Sequence, residues 1–475
     1  MNICIEDNKQ NTRKLLIILL EVLFVVVLVG GVVFIVFHFN SDRLQVKEIS
    51  PKISSFGNTV IYDGNLYSTN SDIFYCFDAS SGKVKWDFKT DGTIFNKPIL
   101  SNNKVILGPD NTKLYCLNAK TGVKLWQQEV AGSTSAYSSI LSDGRVYVGL
   151  SKDEILCFDV DTGKKIWEQK VDDACCDDKN APIILDNKLF FNSKNFFLCF
   201  DSKTGEKKWE QKVFGDCCFN HRSHTFSNGK VYLISNNFDE FKGIILCLDF
   251  NTGKKLWGKQ FEDTPLDLPI VFDGRMYVTS GSYGLLSLNA DNGSKLWDHE
   301  TSFFPDYMML QNDRIYVYSN FDNEVQCFNA SIGIKLWGYM NNDSYDSTFS
   351  SSEYYQYKPL NLSEDRNKVY VVISKDLTDE ILCLDAQNGK LLWNRNVFIT
   401  HYSPIISDGM VFAGSEGGFR CLNDATGEVL WEHLGSEESF QNPVVSDGKL
   451  YISSNNGTFL CFDSKTGVKV WEFKR

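Results

Sequence analysis

The sequence predicts an all-β fold: a β-propeller of four-stranded blades built from ten repeats, preceded by one N-terminal transmembrane helix. Three observations carry this expectation. All ten tryptophans occupy the same place in one short motif. Most successive copies lie roughly forty residues apart, the length of a single propeller blade. Residues 15–37 are apolar apart from Glu21.

In chain order, the apolar run comes first. LLIILLEVLFVVVLVGGVVFIVF is long enough at helical rise to cross a bilayer core. It lacks the shorter apolar stretch and small-residue cleavage site of a removable leader, and no cysteine follows it for lipid attachment. The expectation is an uncleaved anchor. Lys9, Arg13 and Lys14 precede it and only Arg43 and Lys47 follow closely, which places the N-terminus in the cytoplasm and the remainder outside. Glu21 sits near the cytoplasmic interface, where it either reaches water or faces a partner within the membrane. The predicted organisation is a cytoplasmic segment (1–14), an anchor (15–38), a linker (39–51) and the propeller (52–475).

The repeats begin with CFDASSGKVKW, ending at Trp86, and CLNAKTGVKLW, ending at Trp126. Equivalent copies end at Trp167, Trp209, Trp257, Trp297, Trp337, Trp393, Trp431 and Trp471. Each reads as a strand, a polar turn and a second strand. Gly122, Gly163, Gly205, Gly253 and their equivalents supply the left-handed position of the turn. The Asp or Asn four residues earlier accepts turn N–H groups. Upstream lies an Asp/Asn-Gly hairpin such as Asp143-Gly144 or Asp447-Gly448, followed by a basic and an aromatic residue. A short apolar strand precedes it, often opened by proline, as at Pro98, Pro182 and Pro443. The sum is four strands per repeat. One such sheet cannot bury both faces, so neighbours stack around a ring, with each Trp covering the adjacent sheet. No linker separates any two copies, which favours one ten-bladed ring over a smaller ring with surplus repeats. Closure is expected without a strand exchanged between the termini.

The D-x-x-T-G-K-x-x-W pattern resembles the tryptophan-docking repeat of PQQ-type quinoprotein propellers. That group includes the non-enzymatic propeller subunit of the bacterial outer-membrane-protein assembly machinery. The resemblance covers about residues 52–475. It implies either a binding propeller without a cofactor or a dehydrogenase that uses PQQ and Ca²⁺ to oxidise an alcohol or sugar. The dehydrogenases of this group need a calcium-binding carboxylate and amide set, an Asp base and a Trp stacked beneath the quinone. Here all ten Trp are committed to docking, and no C-x-x-C-H haem motif, nucleophile elbow, zinc-protease helix or phosphate loop is found.

Apart from Cys4, the cysteines fall into two sets. Nine occupy the first motif position, with Ser287 in the tenth copy, and read as small core residues set one per blade. The others are Cys175-Cys176 and Cys217-Cys218, in equivalent loops of consecutive repeats. Outside the cytoplasm they suit disulfides between the loops or between adjacent residues. With His221 and His224 beside the second pair, a thiolate and imidazole metal site is the alternative. Quinoprotein alcohol dehydrogenases, by resemblance, carry an adjacent-residue disulfide under their cofactor. Asp172, Asp173, Asp177 and Asp178 form either a solvated loop or a Ca²⁺ cluster.

Two insertions break the period, at Asn236–Lys242 and Asn341–Tyr357. The second carries Tyr345, Tyr354, Tyr355 and Tyr357 among Ser and Asp, a composition suited to an adaptable contact surface. Five Asn-x-Ser/Thr sequences begin at Asn292, Asn329, Asn342, Asn361 and Asn456, the first two within repeat turns. A formal net charge of −12 argues against nucleic acid, which demands a basic face. The expected function is therefore a membrane-anchored, extracytoplasmic scaffold binding an envelope protein or a surface glycan, without catalysis, cofactor or resident metal. The PQQ and Ca²⁺ dehydrogenase is the alternative.

Overall fold

A computed structural model describes residues 59–474, apart from connections at 95–97, 109–112, 131–138, 151–153, 172–181, 194, 214–223, 238–241, 262–268, 281–283, 302–304, 306, 320–323, 341–359, 364–365, 375–378, 399–402, 415 and 455–456, together with strands Leu23–Val29 and Val32–His38.

Residues 54–475 form one compact unit. Blade 1 is built from Val60–Tyr62, Asn65–Asn70, Ile73–Asp78 and Val84–Lys89, here strands a to d, hydrogen-bonded in that order. Seven further sheets of the same order occupy 99–129, 139–170, 183–212, 224–261, 270–299, 307–340 and 360–397. Blades 9 and 10 share one long strand, Val429–Ser446, which is the d strand of one and the a strand of the other, so their sheets merge into seven strands. Every pairing is antiparallel, as sequential hairpins require.

The local chemistry explains the hairpins. The a–b turns place Asp143 and Gly144 at φ +47° and +70°, left-handed positions that Asn, Asp and Gly tolerate best. In the c–d turn the carboxylate of Asp159 accepts the backbone N–H groups of Asp161 and Thr162, at 3.1 and 2.8 Å, and the Thr162 hydroxyl at 2.7 Å. Those donors hold the Asp159 carboxyl below its usual range. Strand d carries one extra residue just before each Trp, a bulge that leaves the Trp directly opposite the motif cysteine, as in Cys157↔Trp167. The cysteine slot is therefore small because an indole sits across from it. All nine of these thiols are free and buried, and burial pushes those of Cys116, Cys157 and Cys199 up to about 12.

The core is a series of seams, each joining the d-strand Trp of one blade to the b and c strands of the next. Trp126, for example, packs with Val146, Val148, Leu156 and Phe158 of blade 3. The last seam joins blade 10 to blade 1, where Tyr451, Phe459 and Trp471 pack with Leu66, Tyr75 and Phe77. The ring therefore has ten blades and closes by side-chain docking, and among the described residues no strand is exchanged between its ends.

The N-terminal expectation needs correction. Where the apolar run predicts a transmembrane helix over 15–38, Leu23–Val29 and Val32–His38 instead pair as an antiparallel ribbon, from Leu23↔His38 to Val29↔Val32. Among the described residues no helix is long and apolar enough to cross a membrane. Val, Ile and Phe dominate both strands and favour the pleated conformation.

Candidate functional site

Antiparallel order separates the connections by end. The a–b and c–d turns leave one end of every sheet, and the b–c and d–a connections leave the other. The c–d turns are regular and all a–b turns but that of blade 8 are two residues long, whereas both insertions and both Cys-Cys loops belong to the other end. Cys175 and Cys176 lie between Lys165–Lys170 of blade 3 and Ile183–Leu185 of blade 4. Cys217, Cys218 and His221 lie between Lys207–Lys212 of blade 4 and His224–Ser227 of blade 5. Tyr345, Tyr354, Tyr355 and Tyr357 lie between Lys335–Met340 of blade 7 and Leu360–Leu362 of blade 8. All these loop residues fall outside the described residues, as do Asp172, Asp173, Asp177 and Asp178. The strands that bear them open onto one end of the ring.

His224 is described. It starts strand a of blade 5, with its ring 5.0 Å from that of Phe197 in blade 4 and 5.5 Å from Phe226. Its Nδ1 lies 3.5 Å from the amide nitrogen of Asn192, and its buried Nε2 has no partner. Burial lowers its pKa to about 4, so the imidazole is neutral at ordinary pH. Among the described residues no group of three or more His, Cys, Asp or Glu is arranged to hold a metal.

Buried carboxylates stand at the same end, and sequence reasoning missed them. Glu324 opens strand c of blade 7, while Asp379 and Glu380 open that of blade 8, flanking the Tyr-rich insertion. Glu324 Oε1 accepts from Gln326 Nε2 at 2.6 Å and pairs with Lys335 Nζ at 3.5 Å. Glu380 Oε1 accepts from Asn394 Nδ2 at 2.6 Å. Partners of this kind are what make buried charge tolerable. The available signal was an acidic residue where blades 1 and 4 begin strand c with Ile73 and Phe196.

The ten Trp belong to the seams. Nine indole N–H groups donate to a backbone carbonyl in the next blade, from Trp86 to Ala119 at 3.0 Å round to Trp471 to Ala79 at 3.1 Å. Each ring lies against the turn glycine of that next blade; a Cβ on Gly163 would stand 2.6 Å from Cδ2 of Trp126. Tyr67, Tyr316 and Tyr451 donate their hydroxyls to the same carbonyls as the Trp of their own blade, at 3.0, 3.4 and 3.2 Å. The basic residue that opens strand b also reaches across: Lys104 to Asp161, Lys230 to Asp291 and Lys368 to Asp424. All ten indoles already cover a turn glycine of the next blade.

A family model described as Outer membrane protein assembly factor BamB matches residues 44–259 and 241–473. BamB of Yersinia pestis is 28% identical over 113 residues, which is 21% of this chain and 29% of the relative. Polyvinylalcohol dehydrogenase of Sphingopyxis sp. (strain 113P3) is 24% identical over 282 residues, 49% of this chain and 42% of the relative. The chain thus spans less than half the length of either. The crystal structure of BamB from Moraxella catarrhalis aligns with a TM-score of 0.40 at 17% identity, over 85% of this chain and 95% of that one. With the repeats matched from end to end of the ring, the chain belongs to the PQQ-type repeat family described as outer membrane protein assembly factor BamB.

Proposed function

We propose that this chain is a non-catalytic scaffold of the cell envelope, whose loop-bearing end docks a protein of the outer-membrane assembly apparatus. The observation that carries the reading is the commitment of all ten indoles to seams between blades, which leaves a ring built for presenting loops. The family match over 44–473 supports the assembly context. Tyr345, Tyr354, Tyr355 and Tyr357 are the proposed contact residues, and disulfides among Cys175, Cys176, Cys217 and Cys218 would brace the two loops ahead of blades 4 and 5. The apolar run at 15–37 is proposed to hold the chain at a membrane, with the propeller outside the cytoplasm.

The test is site-specific photo-crosslinking in intact cells from positions 345, 354, 355 and 357. A cross-link to a β-barrel assembly protein is the expected product, abolished by Tyr→Ala at the neighbouring contact tyrosines. Non-reducing peptide maps report the loop disulfides, with a bound metal as the contrary outcome.

The second reading is a PQQ and Ca²⁺ dehydrogenase, favoured by the match to a polyvinylalcohol dehydrogenase across about half the chain. Titrating residues 44–475 with PQQ and Ca²⁺ distinguishes the two. Saturable quenching of Trp fluorescence together with dye-linked alcohol oxidation would replace the scaffold by the enzyme.

A further inference from the structure

The ten seams are not equal. A ring closed by docking alone has an obvious place to part, the joint of blades 10 and 1, where no backbone connects the two. That joint is reinforced. Trp471 and Tyr451 both donate to the Ala79 carbonyl, at 3.1 and 3.2 Å. Around them Tyr75, Phe77, Phe459 and Phe473 form a run of ring contacts between 5.1 and 6.2 Å.

The joint of blades 4 and 5 differs from all the others. Trp209 is the one indole of the ten whose buried N–H has no acceptor. Strand b of blade 4 carries Phe190 where seven blades carry a tyrosine, so no hydroxyl crosses this seam. Blades 2 and 9 also lack the tyrosine, with Ile106 and Phe412, but Trp126 and Trp431 keep their bonds at 2.9 Å. Phe250 stands where five blades have alanine, its ring tilted by 49° and 5.2 Å from that of Phe190. The cross-blade lysine, Lys188, meets the neutral Asn251 at 2.9 Å in place of an aspartate. The buried Nε2 of His224, without a partner, lies in the same seam. Two buried N–H or ring-nitrogen groups without partners, and two cross-blade bonds missing, tell the same story: this seam rests chiefly on apolar packing, with Lys188–Asn251 and the long Asn192–His224 contact as its polar links, and each unmatched group regains hydrogen bonds to water on opening.

We infer that the joint between blades 4 and 5 is the built-in hinge of the ring, where it opens while the joint of blades 10 and 1 stays closed. The motif cysteines report it directly, since each thiol lies under the Trp of its own blade and is uncovered only when that seam parts. Cys199 faces Trp209 and packs with Val231, Leu233 and Leu246 of blade 5, so it reads the proposed hinge. Cys461 packs with Leu66 and Phe77 and reads the closing joint.

The experiment is native-state alkylation of the full chain at fixed pH, with peptide mapping of all nine motif thiols over time. Two missing bonds of ordinary net strength predict labelling of Cys199 roughly thirty-fold faster than Cys157 or Cys461. Phe190→Tyr, which adds the absent hydroxyl, is expected to slow Cys199 about five-fold and leave Cys461 unchanged. His224→Met, which installs the residue at the same register position as Met308 of blade 7, should slow it too by removing the unpartnered nitrogen. Equal rates at all nine thiols, fastest labelling at Cys461, or a Cys199 rate untouched by both variants would each overturn the inference.

Discussion

At the residue scale, two glycines with one backbone conformation do different work. Gly144 and Gly163 have φ of +70° and +69°, yet a Cβ on Gly144 meets nothing within 4 Å, while one on Gly163 runs into the Trp126 ring at 2.6 Å. Gly144→Ala is expected to cost only the left-handed strain, about 1–2 kcal/mol. Gly163→Ala adds displacement of the indole, roughly 2 kcal/mol more. Urea midpoints of the two variants test the difference, and equal shifts would mean the docking contact contributes nothing. His224 supplies a pH test. Its pKa falls from 6.5 to about 4 on burial, so folding favours the neutral ring. The associated stability is complete above the unfolded value, is lost as pH falls from 6.5 towards 4, and changes no further below that. The loss is at most about 3 kcal/mol. Replacing His224 with Met should flatten thermal stability across that interval. An unchanged pH slope would show that the ring nitrogen is solvated.

At the scale of the element, the c–d hairpin is both a local turn and a docking plate. The residue after the turn Asp, such as Val160, donates its N–H to Gly144 of the a–b turn and accepts the Trp126 indole from the previous blade. One dipeptide therefore ties two hairpins and a neighbour together. Trp→Phe substitutions isolate the indole bond. Trp126→Phe and Trp209→Phe remove similar volume, but only the first breaks a hydrogen bond, so it should cost about 1 kcal/mol more in denaturant unfolding. The motif Cys, the turn Asp and the Gly were all legible as elements because hairpin chemistry is local. Their partners were not. Trp126 and Val160 are 34 residues apart, and Lys104 and Asp161 are 57 apart, so neither pairing has a signature within one repeat.

At the scale of the whole molecule, every blade leans on two neighbours, including the first and the last. Removal of blade 10 from residue 447 onward would bare Leu66, Phe77 and Ala79 of blade 1, and Trp431 of blade 9 would lose its carbonyl acceptor at Ser464. The shortened chain is expected to bind a hydrophobic dye and to lose its cooperative thermal transition. Retention of a sharp transition would mean that nine blades close on their own.

Repeat number, strand order, turn chemistry and the small residue facing each Trp were determined by the sequence itself. Each follows from a two-residue alternation or a turn closed within about ten residues, so the information lies next to itself in the chain. The candidate site was legible as composition: the sequence picked out the Tyr-rich insertion and the Cys-Cys loops but not the buried Glu324, Asp379 and Glu380 beside that insertion. Only the tertiary structure decided how the ring closes, that the turn glycines bear the indoles, and that the seam of blades 4 and 5 lacks the bonds made elsewhere. It also turned the run at 15–37 from an expected helix into paired strands at Leu23–Val29 and Val32–His38. An apolar stretch rich in valine satisfies its backbone either along a helix or across a hairpin, and hydropathy alone does not distinguish them. The closing seam joins residues more than 350 positions apart, such as Tyr451 and Ala79, whose contact exists only once every intervening blade has folded.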